Sequence, residues 1–307
     1  MSGSIESLRH RIESAGDLGG VVRAMKALAA SSIGQYQKAV EALDDYYRTV
    51  ELGLSVCLRQ ANAATPAPPR RSHDREPIGL VVFGSDQGLV GRFNEAVADL
   101  AVKTVKALPG TVQKIWAIGE RVNSLLLEEG IASVVQLAVP VSVSAITPLV
   151  GQILIELQAA REKSEIVDVY VFHNRPKSAA VYEPVCRRLL PLDDAWQSKL
   201  MLTPWPSPPD QRALPEIIGD ASLALKAFIS GYLFVSLFQS CAESLNSENV
   251  SRLAAMQRAE KNIKNIVEDL NQKFHRVRQA SIDEELFDVV SGFEALNAKG
   301  KAVGRRI

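Results

Sequence analysis

Residues 252–293 read RLAAMQRAEKNIKNIVEDLNQKFHRVRQASIDEELFDVVSGF, and no proline or glycine interrupts them before Gly292. Ile263, Ile266, Leu270, Phe274 and Val277 recur every three or four residues, which keeps them on one face of a helix. Arg258, Lys261, Lys264, Glu268, Asp269, Lys273, Arg276 and Arg278 surround that stripe. Such a helix needs a partner helix on one side and a polar environment on the other. The helical pattern runs back to Pro215, so roughly 75 residues, on the order of 110 Å of helix, close the chain.

The partner lies at the other end. Over residues 5–57 a heptad can be laid down with seam positions at 5, 8, 12, 15 and onward in steps of four and three. Fourteen of the sixteen seam positions are apolar, and Gly19 and Lys26 are the exceptions. A 3.5-residue repeat held this long implies a left-handed coiled coil, on the order of 80 Å in length. Each residue of the Gly19-Gly20 pair weakens the helix by about 1 kcal/mol relative to alanine, so packing, close approach or bending is expected there. A lysine in the seam costs stability and sets register. Alternatively, Met25 and Lys26 run through a protein cavity and face acidic or apolar loops of a partner.

Between the two helices the pattern changes. Residues 61–76 carry Pro66, Pro68 and Pro69 with Arg70, Arg71 and Arg75, a linker better read as a solvated loop than as a phosphate patch. Pro77–Phe83 (PIGLVVF), 114–118 and 166–172 are short apolar runs, and helical patterns fall at roughly 92–108, 119–129 and 144–163. Strands alternating with helices predict a parallel, doubly wound sheet buried on both faces. Residues 179–190 add one more strand, an antiparallel edge, before prolines 191, 204, 206, 208 and 209 mark a second irregular connector. The fold class expected is α/β, with a long antiparallel coiled coil of the N- and C-terminal helices plus an inserted doubly wound, mostly parallel sheet domain. Its segments are the N-terminal helix 1–60, the inserted Rossmann-like domain 77–190, the C-terminal helix 212–296 and a basic tail 297–307 with Lys299, Lys301, Arg305 and Arg306.

Composition narrows the function. At 307 residues and 47% hydrophobic the chain can bury a sizeable core. Thirty-five basic residues balance thirty-five acidic ones, so no global field recruits nucleic acid or an anionic membrane. Cys57, Cys186 and Cys241 lack metal or redox spacing and fit buried free thiols in a reducing compartment. No stretch approaches the roughly 18 apolar residues of a membrane span and no signal segment opens the chain, so a soluble, cytoplasmic protein is expected.

Catalytic chemistry finds little support. The turn at residues 84–92 follows the first strand and opens a helix, where α/β proteins often bind phosphate. Its glycines, Gly84, Gly88 and Gly91, have neither dinucleotide nor Walker spacing, and a tight turn with a surface role fits better. His10, His73, His173 and His275 sit on separate elements, and none stands at metal-ligand spacing from a carboxylate or cysteine. His10 and His275 read as polar-face residues of the helices. Asp283, Glu284 and Glu285 point in different directions on a helix and read as a solvated face. No cofactor, metal or small-molecule substrate is expected.

The motifs carry a family resemblance over nearly the whole chain. R-x-R-I-x-S at residues 9–14, M-K-A-L-A-A-S at 25–31, S-D-Q-G-L-V-G-R-F-N at 85–94, R-L-A-A-M at 252–256 and N-x-K-F-H-R-V-R-Q-A-S-I-D-E-E-L at 271–286 resemble the gamma subunit of F-type ATP synthases. The resemblance implies a rotor shaft: antiparallel helices threading a ring of alternating alpha and beta subunits. Its α/β domain would stand at the foot, against the membrane rotor ring and the epsilon subunit. It implies that Met25 and Lys26 lie near acidic loops of the beta subunits and that Arg278 and Gln279 meet a beta-subunit catch loop. Glu248 and Arg252 match positions lower on the shaft, and Ser85, Asp86, Gly88 and Gly91 form the family's turn at the foot. It further implies a non-catalytic subunit, peripheral on the cytoplasmic face of the bacterial inner membrane. Gly19-Gly20, Gln87, Val90, Arg92, Asp283 and the extended basic end depart from the common pattern. With residues 44–53 they resemble the divergent bacterial "alternate" ATPases, for which sodium coupling has been proposed. The paired regulatory cysteines of chloroplast gamma subunits are absent. The rival readings are a self-associating coiled-coil scaffold with an α/β docking domain, and a nucleotide-dependent regulatory enzyme.

Overall fold

The computed structural model describes residues 2–64, 76–131, 134–178, 181–206 and 215–303, with side chains for residues 5–60, 76–131, 134–177, 182–206 and 215–291. The proline-basic linker at 66–75, the second connector's Pro208 and Pro209, and Arg305 and Arg306 lie outside the described residues. The chain runs α1 (Ser2–Ala64), β1 (Pro77–Phe83), α2 (Phe93–Ala107), β2 (Thr111–Ile118), α3 (Glu120–Glu128), β3 (Val134–Leu137), α4 (Val143–Glu162), β4 (Asp168–Ser178), β5 (Val181–Leu190), α5 (Asp194–Leu202) and α6 (Ala221–Val303). It divides into two compact units, a helix pair made of the chain up to Ala27 and from Met256 onward, and an α/β unit from Leu28 to Ala255.

In the helix pair, Lys26 meets Glu260, Gly19 faces Ile263, and Ile5, Arg9 and Ile12 share a groove with Phe274 and Ile282. Falling numbers on α1 meet rising numbers on α6, so the helices are antiparallel. Along the whole of α1 none of the sixteen seam positions, 5 to 57, is exposed, as a 3.5-residue repeat requires. On α6 the stripe differs by one residue from its sequence reading. Ile266 is 51% exposed, and Val267 takes its place beside Ile263, Leu270, Phe274 and Val277. Only the strict four-three alternation 263, 267, 270, 274, 277 follows the partner helix.

The α/β unit holds a five-stranded sheet in the order β3-β2-β1-β4-β5. The first four strands are parallel and β5 closes the edge antiparallel to β4. Successive strand residues point to opposite faces. Ile78, Leu80, Val82 and Phe172 pack under α2 and α3, while Val81, Phe83, Trp116 and Val171 pack under α4 and the stretches of α1 and α6 that belong to this unit. Both faces are therefore covered, which is why β1 reads as a nearly continuous apolar run. The sequence reading missed β3, only four residues long, and α5, hidden in the proline-rich connector; Asp193 caps α5 by accepting from the Trp196 amide.

Two expectations need correction. Two helices do contain a window long and apolar enough to cross a membrane: α4, with mean hydropathy 1.4, and α6, with 1.6. A third of each window is buried in the protein, because the apolar faces of α4 and α6 pack on the sheet, and a helix with one such face and few charges passes a test of length and composition. Of the three thiols, Cys57 and Cys241 are buried but Cys186, on the edge strand β5, is exposed.

Candidate functional site

The turn after β1 is built on glycine. A Cβ on Gly84 would stand 2.4 Å from Val122 Cβ, and Leu89 and Gly91 adopt the left-handed conformation with φ of 63° and 61°. The fully buried Ser85 gives its amide to Asn94 Oδ1 at 2.9 Å and its hydroxyl to the Gln87 carbonyl at 2.8 Å, while Asn94 Nδ2 donates back to Ser85 Oγ. Asp86 accepts from the Glu120 amide at the start of α3 and from the Val139 amide after β3. One carboxylate thus ties three loops together. Ser251 of α6 donates to the Val90 carbonyl, Ser247 to the Asn174 carbonyl, and Asn174 Nδ2 to the Phe93 carbonyl. Strand order reverses between β1 and β4, where doubly wound sheets bind ligands. Here the chain's own side chains fill that crevice, so the turn is a structural junction rather than only a surface feature.

Beside it, Glu248 and Arg252 form an ion pair of 2.6 Å with side chains 7% and 14% exposed. Burial holds the Glu248 carboxyl above its ordinary range even against the Arg252 charge, and Arg252 Nε is buried without a partner among the described residues. Both line a cavity of about 230 Å³ with Asp86, Gln87, Tyr36 and Val141. Gly88 is half-buried and has open space around its Cβ position.

In the helix pair, Lys26 Nζ donates to Glu260 Oε2 at 2.6 Å. Glu260 lies three residues before Ile263, on the α6 seam, so the seam lysine meets an acid of its own chain. That hydrogen bond holds the Glu260 carboxyl below its ordinary value. Met25 is half-buried, Arg278 and Gln279 are exposed, and Arg278 borders a groove of about 640 Å³ with Arg9, Phe274 and Glu285. Gly19 faces Ile263 with room for a methyl group at 3.4 Å, and Gly20 faces nothing within 4 Å. Close packing therefore does not explain the pair. His10, His275, Asp283, Glu284 and Glu285 are all exposed.

The sequence reading missed one cluster. His173 of β4 meets Glu243 of α6 at 2.8 Å, seventy residues away, and Arg175 and Arg187 lie nearby. No local spacing signals it, because β4, β5 and α6 meet only in the fold.

An antiparallel helix pair, and an α/β unit whose ligand crevice is filled from within, define a two-unit class of coiled-coil and α/β protein. The family model described as ATP synthase matches residues 4–296. The chain belongs to the ATP synthase gamma family. It is 28% identical over 304 residues to the ATP synthase gamma chain of Cupriavidus pinatubonensis, covering 96% of this chain and 100% of that one. It is 28% identical over 297 residues to that of Dechloromonas aromatica, covering 95% and 99%. Its fold is similar to a chain of the Euglena gracilis mitochondrial ATP synthase (OSCP/F1/c-ring), with a TM-score of 0.65, 15% identity, and coverage of 98% and 97%. A central stalk/c-ring structure from Tetrahymena thermophila gives a TM-score of 0.54 at 20% identity, covering 78% of this chain and 99% of that one.

Proposed function

We propose that the chain is the central rotor shaft of an F-type ATP synthase, coupling rotation of a membrane ring to ATP synthesis or hydrolysis at the beta subunits without catalysing a reaction itself. The family match over residues 4–296 carries this reading. The helix pair supports it, because its seam is closed within the chain while Leu18, Val21, Leu286 and Phe287 stay exposed along its flanks. The partners are the alternating alpha and beta subunits for the helices, and the rotor ring and epsilon subunit for the α/β unit. The complex is membrane-associated with this chain peripheral in it, on the cytoplasmic face of the bacterial inner membrane. An asymmetric shaft offers each beta subunit a different surface, and differential contact shifts their conformational populations in turn.

Met25 and Lys26 meet acidic loops of the beta subunits, and the exposed Arg278 and Gln279 meet a second beta loop. Glu248 and Arg252, buried against the turn of Ser85, Asp86, Gly88 and Gly91, act further along the shaft. The basic end, with Lys299 and Lys301 on the last helical turns, extends the bearing. Co-expression with the cognate alpha and beta subunits, purification through a tag on beta and an ATPase assay test the whole. One copy per three alpha–beta pairs, with turnover dependent on it, is expected; a stable dimer of the chain alone would favour the scaffold. Met25→Lys is expected to lower the ratio of ion pumping to ATP hydrolysis in the complex, because a second cation joins Lys26 there. An unchanged ratio removes the assigned contact.

A further inference from the structure

A groove of about 480 Å³ opens in the α/β unit between the C-terminal half of α4, the end of β5 and the early turns of α6. Its floor is Leu154 and Leu157 of α4, Leu190 of β5, and Ile229 and Leu233 of α6. Leu157 and Leu190 belong to the main core, Ile229 packs on the smaller cluster around Leu54 and Tyr232, and Leu233 packs on both. The groove is thus a gap where two apolar clusters meet, and Leu154, Ile229 and Leu233 stay half-buried along it. Among the described residues, no buried polar atom that lacks a partner lies on it. Water gains little on such a floor, because an ordered water needs several polar partners.

The polar groups stand on the rim. Arg161 of α4 and Lys226 of α6 are exposed there, and among the described residues neither forms an ion pair. Asp220 senses the Lys226 charge without pairing with it. The one acid on the rim, Glu162, accepts a hydrogen bond from Gln158 at 3.0 Å. An apolar trough with two cations at its lip, brought there by two different helices, is complementary to an apolar chain with an anionic head. The floor discriminates against a polypeptide. An extended peptide laid along it would bury backbone N–H and C=O groups that no floor side chain can meet. A helix meets its own, but at about 10 Å across it would fill the volume with little more than one turn. An acyl chain carries no polar group to satisfy and gains with each methylene taken out of water.

We propose that this groove binds a single-chain fatty carboxylate, with its chain on Leu154, Leu157, Leu190, Ile229 and Leu233 and its carboxylate at Arg161 and Lys226. The volume falls within the roughly 300–1,000 Å³ of small-molecule sites. The groove belongs to the α/β unit alone, so binding does not depend on assembly into a rotor.

Isothermal titration of the full-length chain with octanoate and decanoate, each below its micellar concentration, tests the assignment. One saturable site per chain is expected, tighter for decanoate by about fifteenfold, since each added methylene is worth about fourfold. The neutral 1-decanol serves as a second probe. Replacing both cations, Arg161→Gln with Lys226→Gln, should weaken decanoate by about tenfold and leave decanol unchanged. Ser230→Trp, at an exposed position on the rim, should fill the groove and abolish binding of both. The double glutamine variant decides the matter if the tryptophan variant fails to fold. Absence of a saturable site, or an affinity that does not rise with chain length, overturns the proposal. Decanoate binding unchanged in the double variant overturns the placement of the head group. Binding to phosphatidylglycerol vesicles without binding to decanoate overturns the single-chain ligand in favour of a bilayer surface.

Discussion

The α/β unit and the helix pair treat their apolar side chains in opposite ways. In the α/β unit Trp116, Phe83, Phe93 and Phe172 are no more than 1% exposed. In the helix pair the seam from Ile263 to Val277 is only half-buried, and Phe287 and Val289 are more than 70% exposed. A sheet covered on both faces makes its own core, whereas two helices alone bury one stripe each and leave their flanks to solvent or to a partner. Most of the stability of the free chain therefore resides in the α/β unit, and the flanks of the helix pair are the part left uncovered.

Truncation should separate the two regions most sharply. Phe172→Ala is expected to cost about 3–5 kcal/mol, and Leu270→Ala about 1–1.5 kcal/mol, half the value of a fully buried side chain. Urea denaturation followed by circular dichroism measures both, and equal costs would abolish the distinction. Asp86→Ala should come next, at about 2 kcal/mol, because the Glu120 and Val139 amides both lose their acceptor. Two glycine substitutions should then move melting temperature in opposite directions. Gly84→Ala forces a contact with Val122 and costs about 1–3 kcal/mol. Gly20→Ala has open space and gains about 0.8–1.0 kcal/mol of helix propensity.

Smallest is the acid response, which distinguishes the regions by carboxylate. Glu243 in the α/β unit and Glu260 in the helix pair are both held below their ordinary values. Each therefore binds protons less readily folded than unfolded. Its stabilising contribution is complete above the unfolded pKa of about 4.3 and is lost as pH falls through the depressed folded value. Glu260→Gln should flatten the acid limb for loss of the helix pair, and Glu243→Gln that for the α/β unit, read by separate fluorescence probes on each. A single limb affected equally by both variants would show one cooperative unit instead.

Legibility followed the same division. The α1 seam was readable position by position because a heptad is a local rule that one partner helix satisfies. The mistaken Ile266 arose where two apolar residues, Ile266 and Val267, sit side by side and only the partner's register chooses between them. β1 was readable to the residue, since a run buried on both faces needs no knowledge of its neighbours. β3 was too short for any period to emerge. The turn at residues 84–92 was visible as a motif, but the burial of Ser85 and the reach of Asp86 to two other loops were not, because their partners lie at Asn94, Glu120 and Val139.

By itself, then, the sequence determined the helical ends, the alternating strands between them and, through its motifs, the resemblance to gamma chains, because periodicity and turn chemistry are encoded within a few residues. Only the tertiary structure decided that Lys26 meets Glu260 within the chain, that the ligand crevice is filled from inside, and that Arg187 stands beside His173 and Glu243. Such pairings join residues as far as 234 positions apart, and charge and hydrogen bonding act through space, so only strand order and helix register bring them together.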